Sequence, residues 1–373
     1  MNKTKVLMLM RMPEPPVTGG EIYYSRLREY LKVRFAGVEN ISWQTKPYKG
    51  PLRYVIGSVL KNLSLLKHLK SIDSGTIILE DAADSHDLFL FNAATRVLRG
   101  ILGKRIYIVP VVHHLDSPLI KKQMLKKLKL IEEGIFFNSS DGIVVNSEFT
   151  KGFVKDALRR EIETVTAYPG LNVSGLGKNL EVKPKCNGIH LLFVGYVTSR
   201  KGVDTLIMAF EILVKRMKQD KLVLHIAGDL TRDANFSQQI KDYSDEVGLA
   251  EKVIFHGRVG NRELEELYCS SDVFVFPSIW EGFGMVLAEA ASYGMPIVAT
   301  DAGAIPYLVK DGINGLLVPP RDAEKLAQAI ERLASSPTLR AQFGKANRRL
   351  AREFDWDESF SKVARLLEKL DSN

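Results

Sequence analysis

Short apolar runs recur along the chain, and the residues between them follow helical spacing. The runs are KVLMLM near 5–10, TIILE at 76–80, IYIVPVV at 106–112, GIVV at 142–145, HLLFVG at 190–195, LVLHIAG at 222–228, VIFHG at 253–257, VFVFP at 273–277 and PIVAT at 296–300. Short β-rich runs alternating with amphipathic helices predict parallel sheets covered on both faces, because such strands are buried along their whole length. The alternation restarts after about residue 186. Between the two series, YPGLNVSGLGKNLEVKPKCNG at 168–188 is rich in Gly, Pro, Asn and Lys and reads as an interdomain linker. The chain thus reads as two doubly wound α/β domains in tandem, facing each other across a cleft. In such sheets ligands gather at the carboxyl ends of the strands, so every strand-end residue is a candidate.

Composition narrows this picture in three ways. At 373 residues the chain exceeds one ordinary core and fits two domains of about 150–200 residues each. Its 45% hydrophobic and 26% charged content is globular and excludes a largely disordered chain. Cys186 and Cys269 lie too far apart for metal-type spacing or a disulfide framework, which fits a reducing, cytoplasmic location. The run Val6–Met10 is followed by a Pro cluster and is too short for a signal peptide or a membrane span. No other run approaches the ~20 residues a spanning helix needs. Charge is uneven: residues 1–180 hold 27 Lys/Arg against 17 Asp/Glu, a net of +10, and residues 181–373 hold 25 against 27, a net of −2. The two halves are expected to meet different electrostatic partners.

Three strand-to-helix turns suit a phosphate-bearing ligand. After the first run, Thr18, Gly19 and Gly20 precede a helical pattern, where backbone N–H groups can face an anion. An ordinary Gly-rich turn has the same sequence. In FVGYVTSRKGVDTL at 193–206 a strand ends at Gly195, and Arg200, Lys201 and Gly202 lead into a helix. Two cations there suit a diphosphate, and equally a solvated turn. The third turn lies in SIWEGFGMVLAEAASYGMPIVAT at 278–300, with Glu281, Gly282, Phe283 and Gly284 on the loop and Glu289 in the helix. The glycines let backbone approach a bulky ligand, and two carboxylates can accept hydrogen bonds from several hydroxyls of one elongated ligand. Ala288, Ala290 and Ala291 place Glu289 on a face expected to be packed.

VVHHLDSP at 111–118 sets His113 and His114 where a strand ends, facing the ligand end of the sheet. A satisfied polar histidine fits the same position. GLGKNLE at 175–181 lacks the third Gly of a dinucleotide fingerprint and follows no strand. Asp355 and Asp357 are expected to cap the last helix rather than to hold a metal. No catalytic triad or zinc pattern appears.

Together these residues resemble the retaining GT-B glycosyltransferases of family 4 (glycosyl transferases group 1). The likeness is densest from 191 to 320, through LLFVGYVTSRKGVDTLIMAF, LHIAGD, VIFHGRV and the long block from LYCSSDVFVFPS to GLLVPPRD, with shorter matches at TGG, His113, VVNSEFTKG and YPG. The resemblance implies a GT-B fold of two Rossmann-like domains. The N-terminal, acceptor-side domain would cover 1–175 and the nucleotide-sugar-binding domain 186–352, with a helix over 353–373 packing back on the first. It implies that Glu281 contacts donor-sugar hydroxyls and Glu289 the ribose hydroxyls. Backbone amides around Gly282, Phe283 and Gly284 would hold sugar or phosphate oxygens. Lys201, with Arg200 beside it, would meet the diphosphate, and Gly20 with Gly19 would close over it. His113 would stand beside the donor sugar, or His114 if the register slips by one. Family members often carry Arg directly after the Gly of FVG, where this chain has Tyr196. The implied reaction is transfer of a hexose-type sugar to an acceptor hydroxyl with retained configuration, without a metal or other cofactor.

The acceptor side is less specific. SPLIKKQMLKKLKLIEEG at 117–134 and LRYVIGSVLKNLSLLKHLK at 52–70 alternate Lys with apolar residues at helical spacing. Such helices suit an anionic membrane surface and a lipid-linked or glycan acceptor, or simply a solvated face. A nucleic-acid partner is not expected, since the basic segments lack interleaved aromatics and any known module pattern. A nucleotide-sugar-binding protein without catalysis would keep Glu289 and Lys201, but would not need Glu281 and His113.

Overall fold

The computed structural model describes residues 2–10, 13, 18–41, 62, 65, 71–113, 115, 117, 120, 122–171, 188–217 and 222–372. His114, the segment 172–187 and most of the basic stretch 52–70 lie outside them. The chain divides into two compact units. The first joins Met1–Pro169 to Asp355–Asn373, and the second is Gly170–Phe354. The divisions fall at 169/170 and 354/355, against the 175, 186 and 352 expected from the family resemblance.

The N-terminal unit holds β1 (Asn2–Leu9), β2 (Phe35–Ile41), β3 (Thr76–Asp81), β4 (Ile106–Val112), β5 (Ile143–Val145) and β6 (Thr164–Thr166). Their order is β2-β1-β3-β4-β5-β6, with every neighbouring pair parallel. Side chains alternate between the faces of a strand. On one face Val6, Met8, Ile77 and Leu79 pack with Tyr23, Leu27 and Leu31 of helix Gly19–Lys32 and with Phe360, Val363 and Leu367 of helix Trp356–Asp371. On the other, Leu7, Leu9 and Ile78 meet Leu88 and Phe91 of helix Ser85–Ile101 and Phe136 and Phe137 of helix Gln123–Asn138. The last helix of the chain is therefore part of this unit's core. Asp355 caps it, accepting from the Glu358 amide at 2.8 Å, which is the capping role its sequence suggests.

The C-terminal unit holds β7 (Ile189–Val194), β8 (Leu222–Ala227), β9 (Val253–Gly257), β10 (Val273–Phe276), β11 (Ile297–Thr300) and β12 (Gly315–Val318), in the order β12-β11-β10-β7-β8-β9 and again all parallel. The central strand β10 is buried at every residue, which is why its sequence is an unbroken apolar run. Strands β7 and β10 are neighbours, yet the chain leaves β7 towards one edge and β10 towards the other. The crevice beyond their ends is the topological switch point of a doubly wound sheet. In the N-terminal unit the equivalent point lies between β1 and β3.

Candidate functional site

The switch point of the C-terminal unit is built by two turns pressed together. After β7 a single 3-10 turn, Ser199–Lys201, ends at Gly202 with φ 68°. A Cβ on Gly202 would stand 2.1 Å from the Pro277 carbonyl oxygen, at the end of β10. Only glycine fits that left-handed, close-packed position, and it seats Lys201 against the β10 loop. The loop is held from its other side by Gly303, where a Cβ would lie 2.4 Å from the Glu281 carbonyl oxygen, and by the Ala304 amide, which donates to that oxygen at 2.9 Å.

The side chains converge as this backbone dictates. Lys201 Nζ donates to Glu281 Oε1 at 2.6 Å, Arg200 reaches the same oxygen at 3.1 Å, and the Ser278 hydroxyl donates to it at 2.6 Å. Arg200 also donates to the Trp280 carbonyl at 2.7 Å. Lys201 is buried and lies 4.9 Å from the Phe276 ring centroid. Burial pushes the Glu281 carboxyl up, but Lys201, Arg200 and Ser278 outweigh it and leave the group below the ordinary glutamate range. Burial pulls the Lys201 ammonium down, Glu281 partly restores it, and the charges of Arg200 and Arg232 lower it further. A buried carboxylate thus neutralises two clustered cations.

Arg232 was not among the residues the sequence singled out. It comes from the loop after β8, and its guanidinium lies 4.4 Å from the ring centroid of Tyr196. That loop is shaped by Asp229, whose Oδ1 accepts from the Thr231 amide and hydroxyl, both at 2.7 Å. It is tied to the β7 loop by the Val197 amide donating to the Asp229 carbonyl at 3.1 Å. Where the family pattern has Arg at the position of Tyr196, this chain sets an aromatic face beneath an arginine from the next strand, a stable cation–π pairing. The sequence signal was the pair itself, a substituted arginine and an arginine one strand later.

Gly284 turns at φ 90° and opens helix Met285–Ser292, so the glycine is required there. The Phe283 side chain turns inward and meets Phe354 edge-on with centroids 5.6 Å apart. Gly282 lies between Glu281 and Phe283 on the same loop. Glu289 stands on that helix beside the buried Ala288, Ala290 and Ala291. Its Oε2 accepts from the Tyr268 hydroxyl at 3.1 Å, and Tyr268 stacks on Tyr293 with centroids 4.9 Å apart. Burial pushes the Glu289 carboxyl up, against the opposing Tyr268 hydrogen bond.

The N-terminal unit gathers a different set. Thr18 caps helix Gly19–Lys32 in a capping box: its amide donates to Glu21 Oε2 at 2.7 Å and its hydroxyl accepts from the Glu21 amide at 3.3 Å. Gly19 and Gly20 form the first turn of that helix. A Cβ on Gly20 would stand 3.6 Å from His113 Cδ2, so the glycine and the histidine are neighbours. His113 follows β4, its carbonyl accepting from Asn146 Nδ2 at 2.8 Å, and its ring packs between Tyr23 and Tyr24 at centroid distances of 4.8 and 4.9 Å. Glu80 and Asp81 end β3 beside them in the sheet order. Glu80 is fully buried and accepts from Asn92 at 2.7 Å, and burial pushes its carboxyl up to about 8. Neither acid was picked out from sequence, although TIILED ends an apolar run on two carboxylates.

Residues 181–350 match the family described as Glycosyl transferases group 1. The chain carries a glycosyl transferases group 1 domain. It is 32% identical over 283 residues to the D-inositol 3-phosphate glycosyltransferase of Corynebacterium diphtheriae, covering 71% of this chain and 66% of that protein. Over eight of the curated relatives it matches, the chain spans between about a third and two thirds of their length, from 37% to 66%. Among solved structures, the sucrose-phosphate synthase of Thermosynechococcus elongatus superposes with a TM-score of 0.76 at 20% identity, covering 99% of each chain. The Anabaena protein HepE, solved in complex with UDP, superposes with a TM-score of 0.73 at 20% identity, covering 98% of this chain and 100% of its own. These likenesses show the fold: two Rossmann-like parallel-sheet units of the GT-B class. No helix among the described residues is long and apolar enough to cross a membrane.

Proposed function

We propose that this protein is a glycosyltransferase that moves a hexose-type sugar from a nucleotide-diphosphate sugar to an acceptor hydroxyl, on a glycan or a lipid-linked molecule, with retention of configuration. The observation that carries the reading is the Lys201–Glu281–Arg200 cluster at the switch point of the group 1 domain, with Arg232 on the neighbouring loop. Fixed cations in a partly desolvated crevice stabilise a leaving diphosphate more than a neutral ground state, the requirement for lowering a barrier. The UDP bound to HepE is consistent with a nucleotide donor for this fold.

In the proposed reaction the diphosphate lies along Arg200, Lys201 and Arg232. Incoming phosphate oxygens take over the cations that Glu281 neutralises in the free protein. Glu281, released from part of that pairing, accepts hydrogen bonds from sugar hydroxyls. Glu289 uses the carboxylate oxygen not held by Tyr268 for the ribose hydroxyls, and the amides around Phe283 and Gly284 hold further oxygens. The bond from the anomeric carbon to the phosphate oxygen breaks, and a bond to the acceptor oxygen forms on the same face. The acceptor's proton passes to the departing phosphate, so no protein nucleophile is needed. The cations carry the charge stabilisation that a metal supplies in other transferases, and the proposal is of a metal-independent enzyme. In the N-terminal unit Gly20 and His113 stand side by side, and with Gly19 they are the residues of that unit assigned to the reaction in this proposal.

Incubation of the purified chain with radiolabelled UDP-, GDP- and ADP-sugars tests this. Donor-specific sugar release or transfer, undiminished by a chelator, is the expected result. Donor binding with no turnover under any condition would favour the alternative of a nucleotide-sugar-binding protein without catalysis.

A further inference from the structure

Helix Gln123–Asn138 has apolar residues on two faces, and among the described residues only one is covered. Phe136 and Phe137 belong to the unit's core, and Lys129 and Glu133 on the same side are buried. Met124, Leu128, Ile131 and Ile135 recur at i, i+4, i+7 and i+11, forming one stripe on the opposite side. They are 73%, 57%, 60% and 37% exposed, and Leu125 beside them is 42% exposed. Single exposed apolar residues are ordinary, but a contiguous stripe along about three turns marks an interaction surface.

The charges around the stripe identify the occupant. Lys122, Lys126 and Lys127 are exposed on the same turns, and residues 117–131 contain no Asp or Glu. The acid that follows, Glu132, is already paired with Lys129 at 2.6 Å. A second copy docking stripe to stripe would bring these lysines together, which disfavours self-association. An anionic bilayer matches both features, apolar side chains entering the acyl boundary and lysines meeting the head groups. We propose that helix Gln123–Asn138 is a membrane-docking helix that binds an anionic lipid surface in the interfacial plane. It opens ten residues after His113, on the connection that leaves the carboxyl end of β4. Its service to a lipid-linked acceptor rests on the function proposed above, whereas the docking itself does not.

Sedimentation of the full chain with phosphatidylcholine vesicles, with and without phosphatidylglycerol, tests the assignment. The wild type is expected to co-sediment only with the anionic vesicles, less so as salt is raised. Leu128→Ser with Ile131→Ser should weaken binding roughly tenfold or more, and Lys126→Ala with Lys127→Ala should weaken it and flatten its salt dependence. All variants should keep wild-type melting temperature and nucleotide binding, because the stripe is exposed and its residues belong to neither the core nor the cationic cluster. No binding by the wild type, equal binding to neutral vesicles, or serine variants that bind like the wild type would each overturn it. So would a wild-type dimer in sedimentation velocity that the serine variant dissolves. Failure of nucleotide binding in the wild type would count against the proposed function and leave the docking result standing.

Discussion

In the C-terminal unit Glu281 follows β10 and is nearly buried, 7% exposed, and in the N-terminal unit Glu80 lies near the end of β3 with no exposure at all. Both stand at the switch point of a parallel sheet. Glu281 is surrounded by Lys201, Arg200 and Ser278 and is held ionised, while Glu80 has only the Asn92 amide and is raised to about 8, neutral at pH 7. Burial costs the two carboxylates alike, and the partner decides the charge. The comparison extends to the units. The C-terminal unit, with 23 Lys/Arg against 22 Asp/Glu and a net of +1, carries the cationic crevice, and the N-terminal unit, with 29 against 22 and a net of +7, carries the acidic and aromatic one. Net charge describes the surface a partner meets at long range, and the switch point is chosen separately by a few strand-end residues.

The largest expected effect comes from removing the difference. Lys201→Ala leaves Glu281 buried with a half-exposed Arg200 as its remaining cation, making it resemble Glu80. Turnover should fall about 100- to 1000-fold, the scale of losing one fixed donor to developing charge, measured as kcat with the preferred donor. Stability should fall by roughly 3 kcal/mol, since an ion pair is broken without replacement, read from denaturant unfolding. Glu281→Ala should lower turnover on the same scale. Wild-type kcat in either variant would contradict the assignment.

Next in size is the pH dependence of Glu80. Its folded value, about 8, lies above the ordinary 4.5. Its contribution is therefore fully present below about 4.5 and is lost as pH rises through about 8, a few kcal/mol on the order-of-magnitude scale of linkage. The melting temperature should drop between about pH 5 and pH 8 and level off above that, and Glu80→Gln should flatten the drop. An unchanged slope in the variant would remove Glu80 from the comparison. Glu281 works in the opposite sense: its stabilising charge is present above the ordinary value and is lost as pH falls through its depressed one.

The smallest effect sharpens the cationic side. Arg232→Ala should weaken a nucleoside diphosphate about tenfold, the size of one charge-assisted contact, while changing nucleoside monophosphate affinity little in calorimetric titration. Equal loss for both ligands would place Arg232 away from the second phosphate.

Nine of the twelve strands among the described residues were legible as apolar runs. The three that were not, Phe35–Ile41, Thr164–Thr166 and Gly315–Val318, are all edge strands. FAGVENI buries only Phe35 fully and TVT buries no residue fully, so neither needs the continuous apolar pattern that burial on both faces imposes. At the candidate site, Lys201, Glu281 and Arg200 were legible because strand-end cations and carboxylates are rare in apolar surroundings. Their direct pairing was not, because it depends on Gly202 meeting the Pro277 carbonyl and Gly303 meeting Glu281, approaches that join segments far apart in the chain. Arg232 stayed hidden for the same reason: its partner Tyr196 lies one strand away.

The most direct test of a donor phosphate site at the C-terminal switch point is calorimetric titration of the wild type and of Lys201→Ala with a nucleoside and its diphosphate. The account predicts that one nucleoside diphosphate binds the wild type at least about 100-fold more tightly than the nucleoside, and that Lys201→Ala abolishes most of that gap. Equal affinity for nucleoside and diphosphate, or a gap that survives Lys201→Ala, would contradict it.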